Sequence, residues 1–329
     1  MRNPTKLPEK EFMIPTYQFP PWLARLRAPL LAAVFLTLGS CGGPEPLTPP
    51  DDDGSISTES ESPSFAIEYA GGIPFGMYTL PVSQIGSIYN GAQRNARILV
   101  ETGTFKTTLA GIKSRGGKVF LNLTGYHKYY VDSDGHFSFT KWKERLNMFR
   151  SIDFSSYIKD GTIIAHFLID EPNDASNWGG RQVPQSTLEA MAKYSKQLWP
   201  GMATVVRDES TYLAKWTGTY VYLDGAWAQW VARKGDPLDF IRRNVADAQK
   251  KGLSLVTGLN TAKGYYGSRL SASLIKSAGS ALLSSSYPCA FISWEYGGEE
   301  AYLATTAVRD AMKYLRAKAQ NRTFKSCKS

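Results

Sequence analysis

The chain predicts an α/β fold, a (β/α)8 TIM-type barrel standing behind a signal peptide and a disordered tether. Three observations carry this. Strand-like and helix-like patterns alternate from residue 75 to the C-terminus. About eight strands can be counted, most of them followed by a helix. The segment holding them, 65–329, has the length of one such barrel. A doubly wound open sheet is the alternative. It would be shorter and would need a phosphate-binding glycine turn after its first strand, whereas Gly71-Gly72 precedes that strand.

Residues 1–40 read as an export signal. Arg25 and Arg27 precede an apolar run from Ala28 to Leu38, too short for a bilayer span, and small residues follow it. Leu38-Gly39-Ser40-Cys41 resembles the lipobox of bacterial lipoproteins, which implies lipidation at Cys41; an ordinary signal peptide with a chance cysteine is the other reading. Translation starts at Met1 or at Met13. Gly42 stands where some Gram-negative lipoproteins carry an inner-membrane retention aspartate, so the resemblance implies the outer membrane or the cell surface. Residues 41–64 are rich in Pro, Gly, Ser, Thr and acid, with too few apolar groups to offset the entropy of ordering, and read as a tether.

In the remaining domain the spacing predicts strands over 75–79, 97–101, 118–124, 163–170, 203–207, 220–224, 254–259 and 290–294. Helices are expected over 105–114, 140–150, 186–198, 237–250, 272–284 and 299–317. Pro237 after Asp236 suits a first helical turn, and Gly252 suits a helix stop. Weaker helical patterns lie between the first two strands and near 212–216. The leader carries +3 and the tether −6 of the overall +9, leaving +12 on the domain. That surface suits anionic polymers, lipids or wall material. No basic run interleaved with aromatics points to nucleic acid. Cys289 opens the last strand, and Cys327 follows a helix running back to the same end of a barrel. The two therefore either form a disulfide or stay as free thiols.

The chemistry gathers where strands should end, the active face of a barrel. The fourth strand closes on Asp170 and Glu171, the fifth on Arg207 with Asp208 and Glu209, the sixth on Asp224 with Trp227 and Trp230 behind it, and the eighth on Trp294 and Glu295. The third leads into a loop with Tyr126, His127, Tyr129 and Tyr130. Carboxylates ringed by aromatics suit glycoside hydrolysis, in which one carboxyl protonates the leaving oxygen while another attacks or activates water. Candidate catalytic residues are Glu171 as general acid, Glu295 as its partner, and Asp224 as the rival. Candidate substrate contacts are Asp170, Arg207, Tyr126, His127, Trp227 and Trp294. A capping or ion-paired carboxylate is the structural alternative at Glu171 and Glu295, and Asp170 is expected to pair with Arg207. His127, His136 and His166 have no metal-ligand spacing, Asp132-x-Asp134-Gly135 reads as a turn, and no Gly-x-Ser-x-Gly occurs. No metal or cofactor is expected.

Glu171-Pro172 at the end of the fourth strand resembles the Asn-Glu-Pro acid/base motif of the large barrel clan of glycoside hydrolases, and Trp294 is similar to that clan's substrate-platform tryptophan. The resemblance implies a barrel fold, cleavage of O-glycosyl bonds and an oligo- or polysaccharide substrate. Two positions depart from it. Asp170 replaces the clan's asparagine, and the seventh strand ends on Leu259-Asn260-Thr261, without the clan's nucleophilic glutamate. Two readings therefore stand together: a lipid-anchored hydrolase, and a carbohydrate-binding barrel that has lost its nucleophile. A structural envelope lipoprotein with a vestigial cleft is a third.

Overall fold

The computed structural model describes residues 71–329; the leader, Cys41 and the tether to residue 64 lie outside the described residues. Eight parallel strands close into a barrel in sequence order: β1 (Phe75–Tyr78), β2 (Gly91–Asn95), β3 (Lys118–Asn122), β4 (Ile163–Asp170), β5 (Ala203–Arg207), β6 (Gly225–Trp230), β7 (Ser254–Leu259) and β8 (Ala290–Ser293). The helices outside it are α1 (Ala96–Glu101), α2 (Phe105–Ser114), α3 (Phe139–Asn147), α4 (Ser155–Lys159), α5 (Gln185–Leu198), α6 (Ser210–Leu213), α7 (Pro237–Lys250), α8 (Ala272–Leu282), α9 (Glu300–Leu303) and α10 (Thr306–Gln320).

Two layers of core follow from this arrangement. Phe120, Phe167, Trp227, Val205, Val256 and Ile292 are buried within the barrel, while Trp142, Leu168, Ile169, Leu255 and Leu315 belong to the larger apolar cluster around it. Alternation along the strands sends successive side chains to one layer and then the other, except after Phe167 in β4, where the register shifts and Leu168 and Ile169 both join the outer cluster. At the β1–β2 seam Gly76 faces Gly91, where a Cβ on Gly76 would lie 1.6 Å from the Gly91 carbonyl oxygen, so glycine is required for closure. The α7 start is set as its sequence suggests: Asp236 accepts from the Leu238 and Asp239 N–H groups, and Pro237 occupies the first turn.

Three expected elements are corrected. The second strand is 91–95, and 97–101 is α1 instead. Asn95 caps it, accepting from the Arg97 and Ile98 N–H groups, and buries Ala96 and Leu99 while Ile98 and Val100 stay exposed. The sixth strand is 225–230 rather than 220–224. The N–H groups of Val221, Tyr222 and Leu223 donate to the Glu189 carboxylate at 2.8, 2.9 and 3.0 Å, and so are satisfied without a neighbouring strand. The final long helix is broken into α9 and α10.

The N-terminal end of the barrel is closed by the chain's own tail. Cys289 and Cys327 are bonded, with S–S 2.02 Å and Cα–Cα 5.3 Å, and the Ser254 hydroxyl donates to the Cys327 carbonyl at 2.7 Å.

Candidate functional site

At the C-terminal end of the barrel, β4 stops at Asp170 and the chain turns at once. Glu171 adopts φ +42, in the left-handed region, and its N–H donates to the Arg207 carbonyl at 2.9 Å. This turn frees both carboxylates to meet one cation. Arg207 pairs with Asp170 through Nε, lies 3.4 Å from Glu171 Oε1 through Nη2, and donates to Gln229 Oε1. Burial works against the Arg207 charge, but Asp170 and Glu171 outweigh it and hold the guanidinium above its ordinary range. The expected Asp170–Arg207 pair is present.

Aromatics stand beside this cluster. Trp294 stacks on Tyr78 at 4.3 Å and 7°, and the Arg207 guanidinium lies 5.5 Å from the Trp294 ring centre. Two cavities meet at Arg207. A narrow one of about 50 Å³ is lined by Tyr78, Tyr126, His127, Asp170 and Trp294 among others. A wider one of about 520 Å³ takes in Glu171, Trp227 and Gln229. Every expected substrate contact therefore lines one of the two. Trp227 forms part of the floor: it is 2 % exposed and packed among Phe120 and Phe167.

Glu295 follows Trp294 through a cis peptide bond and is half-buried. Burial raises its carboxyl pKa and Glu299 adds to that, against Lys263 and a Trp294 hydrogen bond. The loop after it is tied to the end of β1, where the Gly297 N–H donates to Thr79 Oγ1 at 2.7 Å. Thr79 (φ +59), Glu171 (φ +42) and Tyr266 (φ +46) are the non-glycine left-handed residues described, and all three belong to βα segments at this mouth. Such conformations cost about 1–3 kcal/mol each and gather at functional sites.

Asp224 is not part of this face. Because β6 begins at Gly225, Asp224 precedes the strand and lies at the opposite end of the barrel. It is buried, 2.7 Å from Lys196 Nζ, and accepts the Thr204 N–H at 2.8 Å.

The sequence pattern also passed over residues that line the wide cavity, namely Gln229, Arg233, Lys234, Asn260 and Lys263, and gave Asp208 no role. Gln229 and its neighbours were hidden by the misplaced sixth strand. Asp208 is 6 % exposed and accepts from the Asn173 N–H at 3.0 Å and the Glu209 N–H at 2.7 Å, joining the β4 and β5 loops. Burial pushes its carboxyl up to about 7 despite those donors. Elsewhere Asp132, Asp134 and His136 come within 4.8 Å of one another in an exposed turn. There Asp132 Oδ1 already accepts the Asp134 and His136 N–H groups, which is the geometry of a turn.

No family model and no curated protein matches the chain. Among solved structures, an endo-beta-1,4-mannanase double mutant from Cellulomonas fimi aligns with TM-score 0.55 and 14% identity, over 77% of this chain and 74% of that one. The clostridial cellulose synthase subunit Z from Clostridioides difficile aligns with TM-score 0.51 and 11% identity, over 74% and 99%. A xylanase from Thermotoga petrophila, solved in complex with xylobiose, aligns with TM-score 0.49 and 11% identity, over 75% and 94%. The fold is thus shared, distantly, with barrel glycoside hydrolases.

Proposed function

We propose that the chain is a glycoside hydrolase that cleaves an extracellular or envelope polysaccharide, with Glu171 and Glu295 as its catalytic carboxyls. One observation carries the reading. Carboxyls at the ends of β4 and β8 stand at the same mouth, beside the Tyr78–Trp294 stack that lines the narrow cavity. The raised pKa of Glu295 suits it to protonate the leaving glycosidic oxygen. Glu171, held in its turn and ion-paired with Arg207, takes the complementary task of attacking the anomeric carbon or activating water. This reverses the order of roles that the Glu-Pro motif suggests. The reading of 1–64 as an exported leader anchored at Cys41 belongs to the same proposal and would hold the enzyme at the envelope.

Hydrolysis of a polysaccharide panel, followed by NMR of the first anomer released, tests it. Glu171→Gln and Glu295→Gln should each lower kcat by roughly 10²–10⁴-fold. Activity should fall as pH rises through the Glu295 pKa, and that alkaline limb should vanish in Glu295→Gln. Full activity in either variant would overturn the assignment. A second reading, a non-catalytic carbohydrate-binding barrel, draws on Asn260 standing at the end of β7 without a carboxylate. It expects ligand capture without turnover, with affinity unmoved by Glu171→Gln.

A further inference from the structure

The wide cavity is lopsided in charge. On its β4–β5 side Glu171 pairs with Arg207 at 3.4 Å and Glu209 with Lys234 at 3.0 Å, while Asp174 and Asp208 accept local hydrogen bonds from Ser176 and from the Asn173 and Glu209 N–H groups. On its β6–β7 side stand Arg233 and Lys263, both exposed. Neither side chain forms a close ion pair or a hydrogen bond among the described residues, and Lys263 acts only at longer range, on the Glu295 carboxyl. The two are held close by backbone, since the Ala232 N–H donates to the Gly264 carbonyl at 2.7 Å. The turn that carries Lys263 needs glycine at 264, where a Cβ would lie 2.0 Å from the Asn260 carbonyl oxygen. A guanidinium fork and an ammonium lining one cavity, both exposed to solvent, suit a planar anionic group entering from solvent.

Just beyond Lys263 the chain makes a tight turn, with the Tyr265 N–H donating to Ser268 O at 3.0 Å and the Ser268 N–H to Tyr265 O at 2.8 Å. Tyr266 sits at its tip with φ +46 and 74% exposure, and Tyr265 packs against it edge to face at 5.2 Å. Gly267, next in the turn, lines the same cavity. A tyrosine kept in the left-handed region with its ring in water gains nothing from burial, which points to a contact made outside the chain.

We propose that Arg233 and Lys263, with Tyr266 as an outer platform, form a subsite for a sugar residue bearing an anionic group, carboxylate or sulfate, so that the substrate is an acidic polysaccharide. Cleavage of that polymer rests on the hydrolase reading; its binding does not. The domain's net +12 adds long-range attraction for a polyanion.

The test is calorimetric binding to the full chain carrying Glu171→Gln, with size-matched neutral, uronate and sulfated oligosaccharides. An acidic series should bind roughly tenfold tighter than the neutral one at about 0.05 M salt and lose most of that margin by about 0.5 M. Whichever acidic series binds tighter identifies the anionic group. Arg233→Ala/Lys263→Ala should abolish the preference, and Tyr266→Ala should weaken all acidic chains severalfold. Thermal midpoints should stay close to the parent's, because all three side chains are exposed. Equal binding of neutral and acidic chains, or a preference surviving the double substitution, would overturn the subsite. If the native chain cleaves only neutral glycans, the subsite fails and the hydrolase stands. If it binds acidic chains and cleaves nothing, the subsite stands and the hydrolase fails.

Discussion

Replacing Asp224 with asparagine separates the two ends of the barrel. The carboxylate is 2 % exposed and accepts from Lys196 Nζ at 2.7 Å, the Thr204 N–H at 2.8 Å and Thr204 Oγ1 at 3.2 Å. In Asp224→Asn one amide oxygen can still take the Thr204 N–H, but the amide nitrogen then faces an ammonium. Breaking a buried pair costs about 3–5 kcal/mol. The Lys196 side chain keeps 15% of its surface in solvent and can turn outward, which brings the expectation to about 2–4 kcal/mol. For a domain of this size that lowers the melting midpoint by roughly 4–16 °C. Activity per folded molecule should be unchanged, because roughly 20 Å of β6 separates Asp224 from the mouth. Differential scanning calorimetry with a parallel hydrolysis assay below the new midpoint measures both quantities. Lys196→Met in the Asp224→Asn background should recover part of the loss, since it removes the unpaired charge. A variant that melts like the native protein but has lost hydrolysis would refute this placement and return Asp224 to the chemistry.

Two further outcomes follow from buried groups. Asp208 has its pKa raised from 3.8 to about 7, so the folded state holds a proton that the unfolded chain has released between those values. Its contribution to stability is complete below 3.8 and is lost as pH rises to about 7. Urea unfolding from about pH 5 to about pH 8 should therefore cost the native protein about 2–3 kcal/mol more than Asp208→Asn. Parallel pH profiles for the two proteins would contradict that. The Cys289–Cys327 bond closes a loop of 38 residues, worth about 3–4 kcal/mol by chain entropy. Cys289→Ser/Cys327→Ser should lower the urea midpoint accordingly, and an unchanged midpoint would show that the tail's other contacts suffice.

Six of the eight strands were legible because they are buried on both faces and read as apolar runs. The two misplaced ones share a physical cause. β2 is Gly-Ala-Gln-Arg-Asn, whose polar residues serve the barrel mouth, with Arg94 donating to the Thr79 and Leu80 carbonyls. β6 is Gly-Ala-Trp-Ala-Gln-Trp, interrupted by small residues and a Gln that holds Arg207. In each case a more apolar neighbour attracted the assignment, although it belongs to a helix face or to a loop. Local pattern measures burial. It does not reveal that three loop N–H groups are satisfied by one Glu189 carboxylate from α5, a long-range fact that makes Tyr220–Asp224 a loop despite its strand-like composition.

The same limit explains which part of the site was visible. Asp170, Glu171, Arg207 and Trp294 adjoin strands whose ends were placed correctly, and their chemistry follows from position on the barrel's C-terminal face. Arg233 and Lys263 sit in loops, and what distinguishes them is that neighbouring cations found partners and they did not. That can be read only after folding, when Asp170 has taken Arg207 and Glu209 has taken Lys234. Strain divides along the same line. The left-handed Thr79, Glu171 and Tyr266 all lie at the mouth, while the disulfide and the Asp224–Lys196 pair secure the far end. The costly backbone is thus concentrated at the mouth, beside the carboxylates and the exposed cations Arg233 and Lys263.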